Sequence, residues 1–103
     1  MAGFFREHVV KRLTRSPKWN TVRKEHLRHH PKCAVCNSKK SIQVHHKNPV
    51  HLYPKQELNP RNLITLCSKH HLTFGHLQYW KSYNINVEED CRIWAEKIRV
   101  RPA

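Results

Sequence analysis

Acidic residues are scarce in this chain: seven Asp and Glu stand against 20 Lys and Arg, which gives a formal net charge of +13 at pH 7. This imbalance favours a polyanion as the partner, because basic side chains displace the counterions that condense on DNA or RNA. A charge that only keeps the protein soluble, or that holds it on anionic membranes, is the alternative interpretation.

Long apolar runs are also missing, and residues 1–6 contain no apolar stretch of the kind that begins a secretory signal. The sequence therefore predicts no membrane span, no membrane partner and a cytoplasmic location. In that reducing compartment, closely spaced cysteines are more often metal ligands than disulfides.

Apolar residues are too few for a generous core, because they make up only 38% of a chain of 103 residues. The same short chain contains four cysteines and ten histidines. We therefore expect one small domain over residues 1–103 that gains part of its stability from a bound metal.

The pattern of apolar and helix-breaking residues predicts helices at both ends of the chain and two short strands between them. The expected parts are a helical lead-in over 4–30, a core over about 31–80 and a C-terminal helix over about 86–99. Within them we expect helices over 4–13, from Ser16-Pro17 to about His30 and over 69–81, strands over 41–45 and 63–67, and a loop over 47–61.

The last helix has the spacing of an amphipathic helix. Asn86 and Glu89 have the spacing of a capping box at its start. Cys91 and Trp94 lie on its apolar stripe, so we expect both to pack into the core.

Two pairs of metal-ligand residues have matched spacings, Cys33-x-x-Cys36 and Cys67-x-x-His70. Structural zinc takes four such ligands in a closed tetrahedron. The sequence therefore predicts a structural Zn²⁺ held by these four residues, which we call the clamp. Two alternatives stay open: His71 could close the clamp in place of His70, or the thiols and histidines could bind no metal.

The order of the remaining polar residues makes the likeness to one family specific. His45 and His46 end the first predicted strand, Asn62 precedes the second, and His71 follows the clamp. Over about residues 16–76 this series resembles the zinc-containing HNH (ββα-metal) endonucleases, and Ser16-Pro17-Lys18-Trp19 resembles the lead-in helix of phage-encoded members. The resemblance implies an α+β fold, with a small zinc-stabilised ββα-metal core and flanking helices.

The resemblance also implies roles for single residues. His46 matches the general base, and Asn62 matches the residue that either holds the histidine loop or approaches the metal. His45 and His71 match the ligands of a catalytic divalent ion, which would be Mg²⁺ or Mn²⁺, with Ni²⁺ or Zn²⁺ as alternatives that imidazole ligands also suit. Five residues after His71, His76 falls about 140° further round an α-helix, so we expect it on the helix surface or against DNA.

By the same resemblance, the protein is expected to be a metal-dependent endonuclease that hydrolyses DNA phosphodiester bonds, nicking or cutting both strands with weak sequence specificity. Lys47, Arg61 and Lys69 adjoin motif positions, and we expect them to contact phosphates. Likeness to phage members suggests genome packaging beside a terminase, or mobile-element cutting, in the host cytoplasm, by a monomer or weak homodimer. The alternatives are a non-catalytic zinc-stabilised DNA-binding module and a protein adaptor that uses zinc only to fold.

Overall fold

The structure is a computed structural model that describes residues 15–99 of the chain. The helix predicted over 4–13 lies outside these residues. Two short 3-10 turns, Pro54–Gln56 and Pro60–Asn62, interrupt the loop between the strands. The regular elements are α1 (Trp19–His29), β1 (Ile42–His46), β2 (Leu63–Cys67), α2 (Ser68–His70), a π-helical turn (His71–Gly75) that continues α2, and α3 (Val87–Arg99).

The two strands form an antiparallel hairpin, in which Val44 lies opposite Thr65 and His45 lies opposite Ile64. α2 begins at the residue after β2 ends, so the hairpin and the helix form one continuous ββα unit. This is the predicted α+β fold class, which the structure confirms. Among residues 15–99 no helix is long and apolar enough to cross a membrane.

The buried core is small and lies between the hairpin and α3. It consists of Cys33, Val35, Leu66, Val87 and Cys91, with Phe74 among the partly buried residues packed against it. Cys91 is 1% exposed, so its predicted core position is confirmed. A core of this size stabilises a domain only modestly, which agrees with the expected need for a structural metal.

α1 begins later than the sequence predicts. Lys18, rather than Ser16, occupies the N-cap, and the helix starts at Trp19. Ser16 instead caps a turn: its Oγ accepts a hydrogen bond from the Lys18 N–H at 3.2 Å, and its carbonyl accepts one from the Trp19 N–H at 2.9 Å. The predicted position of Pro17 inside the helix is therefore wrong.

The helix predicted over 69–81 is also too long, because helical winding ends at Gly75. Leu77 and Gln78 then adopt left-handed backbone conformations, with φ of 54° and 70°. Asn84 takes over the free carbonyls at the helix end: its N–H donates to the Gly75 carbonyl and its Nδ2 to the Phe74 carbonyl, both at 3.0 Å. Asn84 thus supplies the hydrogen bonds that a further helical turn would have given to these two carbonyls.

The start of α3 differs from the predicted capping box. The Asn86 N–H donates to Asn84 Oδ1 at 3.0 Å, so it is not available to Glu89. Glu89 instead forms an ion pair with Arg92 one turn later. Trp94 is 48% exposed and meets Phe74 edge-on, so it covers the rim of the core rather than filling it.

Candidate active site and metal clamp

The four clamp residues meet in one cluster, in which all ligand atoms lie within 4.8 Å of one another. The Nδ1 of His70 lies 3.6 Å from Cys33 Sγ and 3.3 Å from Cys67 Sγ, and the Sγ atoms of Cys36 and Cys67 are 4.0 Å apart. A tetrahedron with zinc–sulfur bonds of about 2.3 Å has edges of about 3.8 Å. The donor set and its spacing therefore fit a structural zinc ion.

Tight turns create this geometry. The Asn37 N–H donates to the Cys33 carbonyl at 2.9 Å, and Asn37 has a left-handed φ of 63°, so the chain reverses just after Cys36. Cys67 ends β2, and His70 lies one turn into the following helix. The alternative in which His71 closes the clamp is not the arrangement found, because the His71 side chain turns towards β1.

A second cluster consists of His45, His71 and His76, whose ligand atoms also lie within 4.8 Å of one another. His71 Nε2 is 3.1 Å from His45 Nδ1 and 3.2 Å from His76 Nε2. Ligands bound to one ion at about 2.0–2.1 Å with angles between 90° and 109° stand about 2.9–3.4 Å apart. We call this group the three-histidine cluster, and its spacing fits one metal ion.

The placement of His76 corrects the sequence prediction, which put it on the helix surface or against DNA. That prediction assumed regular α-helical winding, in which residues five apart face different directions. Residues 71–75 are wound as a π-helix, in which the repeating hydrogen bond joins residues five apart. The wider turn brings His76 round to the side of His71.

Hydrogen bonds fix which ring nitrogen of each helical histidine faces the cluster. His71 Nδ1 lies 2.6 Å from Gln43 Oε1, and His76 Nδ1 lies 2.7 Å from the Ser82 carbonyl. Since both partners are acceptors, each Nδ1 carries the proton, and each Nε2 presents a lone pair to the cluster. Two lone pairs 3.2 Å apart repel each other unless a cation lies between them.

Burial favours the neutral form of His45 and His71. It lowers the pKa of His45 to about 3, with repulsion from His71 and His76 adding to the effect. Burial, followed by repulsion from His76, lowers the pKa of His71 to about 4. The Nε2 of His45 is buried without a hydrogen-bond partner among residues 15–99. Neutral imidazoles are the form that binds metals.

Gly75 allows His45 to approach the helix. A Cβ atom at Gly75 would lie 3.0 Å from both Cε1 and Nδ1 of His45 and 3.1 Å from Cδ2 of His71. Contacts this short are tighter than nine in ten contacts of real Cβ atoms, so the two histidine rings would have to shift. The absence of a side chain at residue 75 is therefore part of the cluster's geometry.

His46 follows His45 at the end of β1 and is 8% exposed. Its Nε2 lies 2.9 Å from the Glu57 carbonyl, so Nε2 carries the proton and Nδ1 is the unprotonated nitrogen. The ring packs against Trp19, with centroids 4.5 Å apart. Burial lowers the pKa of His46 as well. The imidazole is thus held neutral, in one tautomer and between fixed neighbours.

A cleft of about 320 Å³ joins the two halves of this site. It is lined by His45 and His46 on one side and by His71 and His76 on the other. His45, which belongs to the three-histidine cluster, and His46, whose Nδ1 is free to accept a proton, therefore line the same cleft.

Asn62 is 3% exposed and forms hydrogen bonds through both ends of its amide. Its Oδ1 accepts from the Asn48 N–H at 2.8 Å, and its Nδ2 donates to the carbonyls of Asn48 and Gln56, both at 3.1 Å. Of the two roles expected for Asn62, these are the contacts of a residue that holds the histidine loop.

The three predicted phosphate contacts have different surroundings. Lys47 donates to the Glu88 carboxylate at 2.8 Å, and its side chain is 22% exposed. Its ammonium group is therefore already paired within the protein. Arg61 and Lys69 are exposed. Their side chains are more accessible to a DNA phosphate than that of Lys47.

Several residues of the site were missed by sequence reasoning: Gly75, His76, Gln43 and Ser82. One signal was present, because residues two apart on a strand share a face, and this places Gln43 beside His45. The pairing of Gly75 with His76 was a second signal, since a glycine inside a helix often marks a close approach. The Ser82 contact depends on a loop conformation that no spacing rule gives.

Comparison with known proteins agrees with this geometry. The family model of the HNH endonucleases matches residues 33–76. The matched segment begins at the first clamp cysteine and ends at the last residue of the three-histidine cluster. No curated protein and no solved structure is significantly similar to the chain. Residues 33–76 are thus similar to the HNH endonuclease domain, and this similarity covers less than half of the chain.

Proposed function

We propose that the protein is a metal-dependent endonuclease that hydrolyses phosphodiester bonds of DNA. The observation that carries the proposal is the convergence of three histidine nitrogens in a cleft that His46 also lines. The net charge of +13 supports DNA as the substrate. The HNH family match supports the same reaction class.

In this proposal His46 is the general base. Its Nδ1 takes a proton from the attacking water, while the Nε2–H stays bonded to the Glu57 carbonyl and keeps the ring in orientation. His45, His71 and His76 would hold a divalent ion, which would stabilise negative charge on the phosphate and on the leaving 3′ oxygen. The water oxygen forms a bond to phosphorus as the bond from phosphorus to the 3′ oxygen breaks. The 3′ oxygen then takes a proton from solvent, so the products carry a 5′-phosphate and a 3′-hydroxyl.

The ligand atoms of the three-histidine cluster favour some divalent ions over others. Mg²⁺ and Mn²⁺, the first expectation from the family, prefer oxygen ligands, whereas imidazole nitrogens suit Ni²⁺ and Zn²⁺. Three imidazoles and no carboxylate form the cluster among the described residues. We therefore favour Ni²⁺ or Zn²⁺ at this site and propose Zn²⁺ at the clamp.

Two further roles complete the proposal. Asn62 acts as a positioning residue that fixes the loop following His46, and Arg61 and Lys69 bind backbone phosphates. Backbone contacts of this kind carry little sequence information, so cleavage should have weak sequence preference. A partner would then direct the enzyme, and a phage terminase remains our proposal for it.

The test is conversion of supercoiled plasmid by wild-type protein, His76→Ala and His29→Ala, each with EDTA, Mg²⁺, Mn²⁺, Ni²⁺ or Zn²⁺. His29 is an exposed histidine on α1 and serves as the matched control. We expect cleavage by wild type and His29→Ala, its loss with EDTA, and a large loss in His76→Ala. If no protein cuts with any metal while all still retard DNA in a gel, the non-catalytic DNA-binding module is correct.

A further inference from the structure

An exposed aromatic surface adjoins the three-histidine cluster and has no part in the chemistry proposed above. The Trp80 ring lies 5.1 Å from the His71 ring and 4.8 Å from the His76 ring, measured between centroids. Trp80 is nevertheless 56% exposed, and its neighbour Tyr79 is 59% exposed. A half-exposed indole beside a candidate catalytic cluster offers a face on which a planar ligand can stack.

Trp80 differs from Tyr79 in its position, because it forms part of the wall of the cleft that contains His45 and His46. One part of its ring covers the two helical histidines, and the rest stays accessible. The cleft volume of about 320 Å³ lies at the lower end of the range for sites that take small planar ligands. Such a volume admits one nucleobase and excludes a stacked base pair within a duplex.

Charge favours a nucleotide over an uncharged aromatic ligand. Arg15 and Lys81 line the same cleft, and none of its lining residues among those described is a carboxylate. The Arg15 guanidinium lies 5.7 Å from the centre of the Trp19 ring, which holds it beside His46. A phosphate at the cleft mouth would therefore meet positive charge next to an aromatic wall.

We propose that the cleft is a subsite for one unpaired nucleobase of the DNA, which stacks on Trp80 next to the phosphate at the three-histidine cluster. The proposal rests on the proposed function and names its substrate class: single strands, flaps, gaps and mismatched sites in preference to intact duplex. A base inside a perfect duplex reaches the cleft only after it leaves the stack, whereas an unpaired base enters without that cost. Stacking on an aromatic side chain accepts any base, which agrees with weak sequence preference.

The experiment measures DNA binding in a His46→Ala background, in which the DNA is expected to stay intact. A short labelled single strand and its duplex are titrated by fluorescence anisotropy with His46→Ala alone and combined with Trp80→Leu, Trp80→Phe or Tyr79→Leu. Phe keeps an aromatic face and Leu removes it. Tyr79→Leu is the matched control, because Tyr79 is equally exposed but does not line the cleft.

We expect Trp80→Leu to weaken single-strand binding about tenfold to a hundredfold, the range measured for the loss of one stacked base. Duplex binding should change much less, Trp80→Phe should retain most of the affinity, and Tyr79→Leu should retain all of it. Equal losses for Leu and Phe, or equal losses for single strand and duplex, would overturn the proposal.

A second measurement needs no change at Trp80. A single abasic site is moved along a strand just long enough to fill the binding site, so that the protein cannot shift to another register. One position should weaken binding as much as Trp80→Leu does, with no further loss when the two changes are combined. Metal content is measured on each variant, and if Trp80→Leu loses metal, the abasic series alone decides. A flat abasic series would refute the base subsite.

The two proposals fail in different ways. If one abasic position weakens binding but no form of the protein cuts DNA, the base subsite stands and the endonuclease proposal fails. If the protein cuts DNA but the abasic series is flat, the reverse holds.

Discussion

His76 places its Nε2 atom 3.2 Å from that of His71, although the two residues are five apart in a helical segment. This relationship exists because the chain changes from α-helical to π-helical winding at His71. His70 lies before this change and faces the clamp, while His71 and His76 both face the cleft. One short segment thus serves both candidate metal centres.

The hydrogen bond between His71 and Gln43 gives the first prediction. Gln43→Leu removes the acceptor that fixes the His71 tautomer, so Ni²⁺ binding to the three-histidine cluster should weaken about 10- to 100-fold. Gln43→Glu keeps an acceptor at this position and should restore binding. Isothermal titration of Ni²⁺ into protein that holds one zinc ion per chain, at the clamp, measures both effects. Wild-type affinity in Gln43→Leu would contradict the proposed tautomer.

The close contact between Gly75 and His45 gives the second prediction. In Gly75→Ala the added methyl group pushes the His45 ring out of position, and a misplacement of about 1 Å can cost about 100-fold in rate. Plasmid cleavage should fall by about this factor. Metal analysis should show that the clamp ion is kept and the second ion is lost. Unchanged cleavage, or loss of both ions together, would contradict a local role for Gly75.

The clamp gives the third prediction, with two cysteines as a matched pair. Cys36→Ser removes a candidate zinc ligand and should abolish cooperative folding, since structural zinc contributes about 10–16 kcal/mol in small zinc-folded domains. Cys91→Ala lies in the core outside the cluster, so it should keep its zinc and lose about 1–2 kcal/mol. Zinc content and thermal unfolding by circular dichroism test both. Zinc loss in Cys91→Ala, or zinc retained in Cys36→Ser, would show that the ligand set is wrong.

Asn62 gives the fourth prediction, with Asn59 as its control. Asn62→Ala leaves the partly buried Asn48 N–H without its acceptor, so the free energy of unfolding should fall by about 1–3 kcal/mol while Ni²⁺ affinity is retained. Asn59 caps a short turn through its hydrogen bond with the Arg61 N–H, and its Nδ2 donates to Gln56 Oε1 at 2.7 Å. Asn59 is less buried than Asn62, so Asn59→Ala should cost less. If Asn62→Ala lost metal without losing stability, Asn62 would act at the metal instead.

Sequence reasoning predicted those features that depend on local spacing. The strand over 63–67 follows from its apolar run, and the meeting of Cys33, Cys36, Cys67 and His70 follows from two matched spacings. The different directions of His70 and His71 follow from helical geometry alone. These features could be predicted because each depends on the spacing of a few residues that are close together in the sequence.

The features that were missed depend on tertiary contacts or on a change in winding. The π-helical turn that moves His76 has no periodicity signal of its own, and the cap that ends it comes from Asn84, nine residues after Gly75. The packing of Trp19 on His46 joins α1 to the end of β1, which sequence spacing cannot show. Such contacts between distant parts of the chain decided the details of the site.

The most direct test of the proposed catalysis is the single-turnover rate of DNA cleavage by His46→Ala, compared with wild type at equal occupancy of both metal sites. His46 provides the only base in the proposed mechanism, and its removal leaves the three metal-facing histidines unchanged. We expect the rate to fall by about 100-fold or more, with DNA affinity and metal content retained. A His46→Ala protein that cuts at the wild-type rate would contradict the assignment of His46 as the general base.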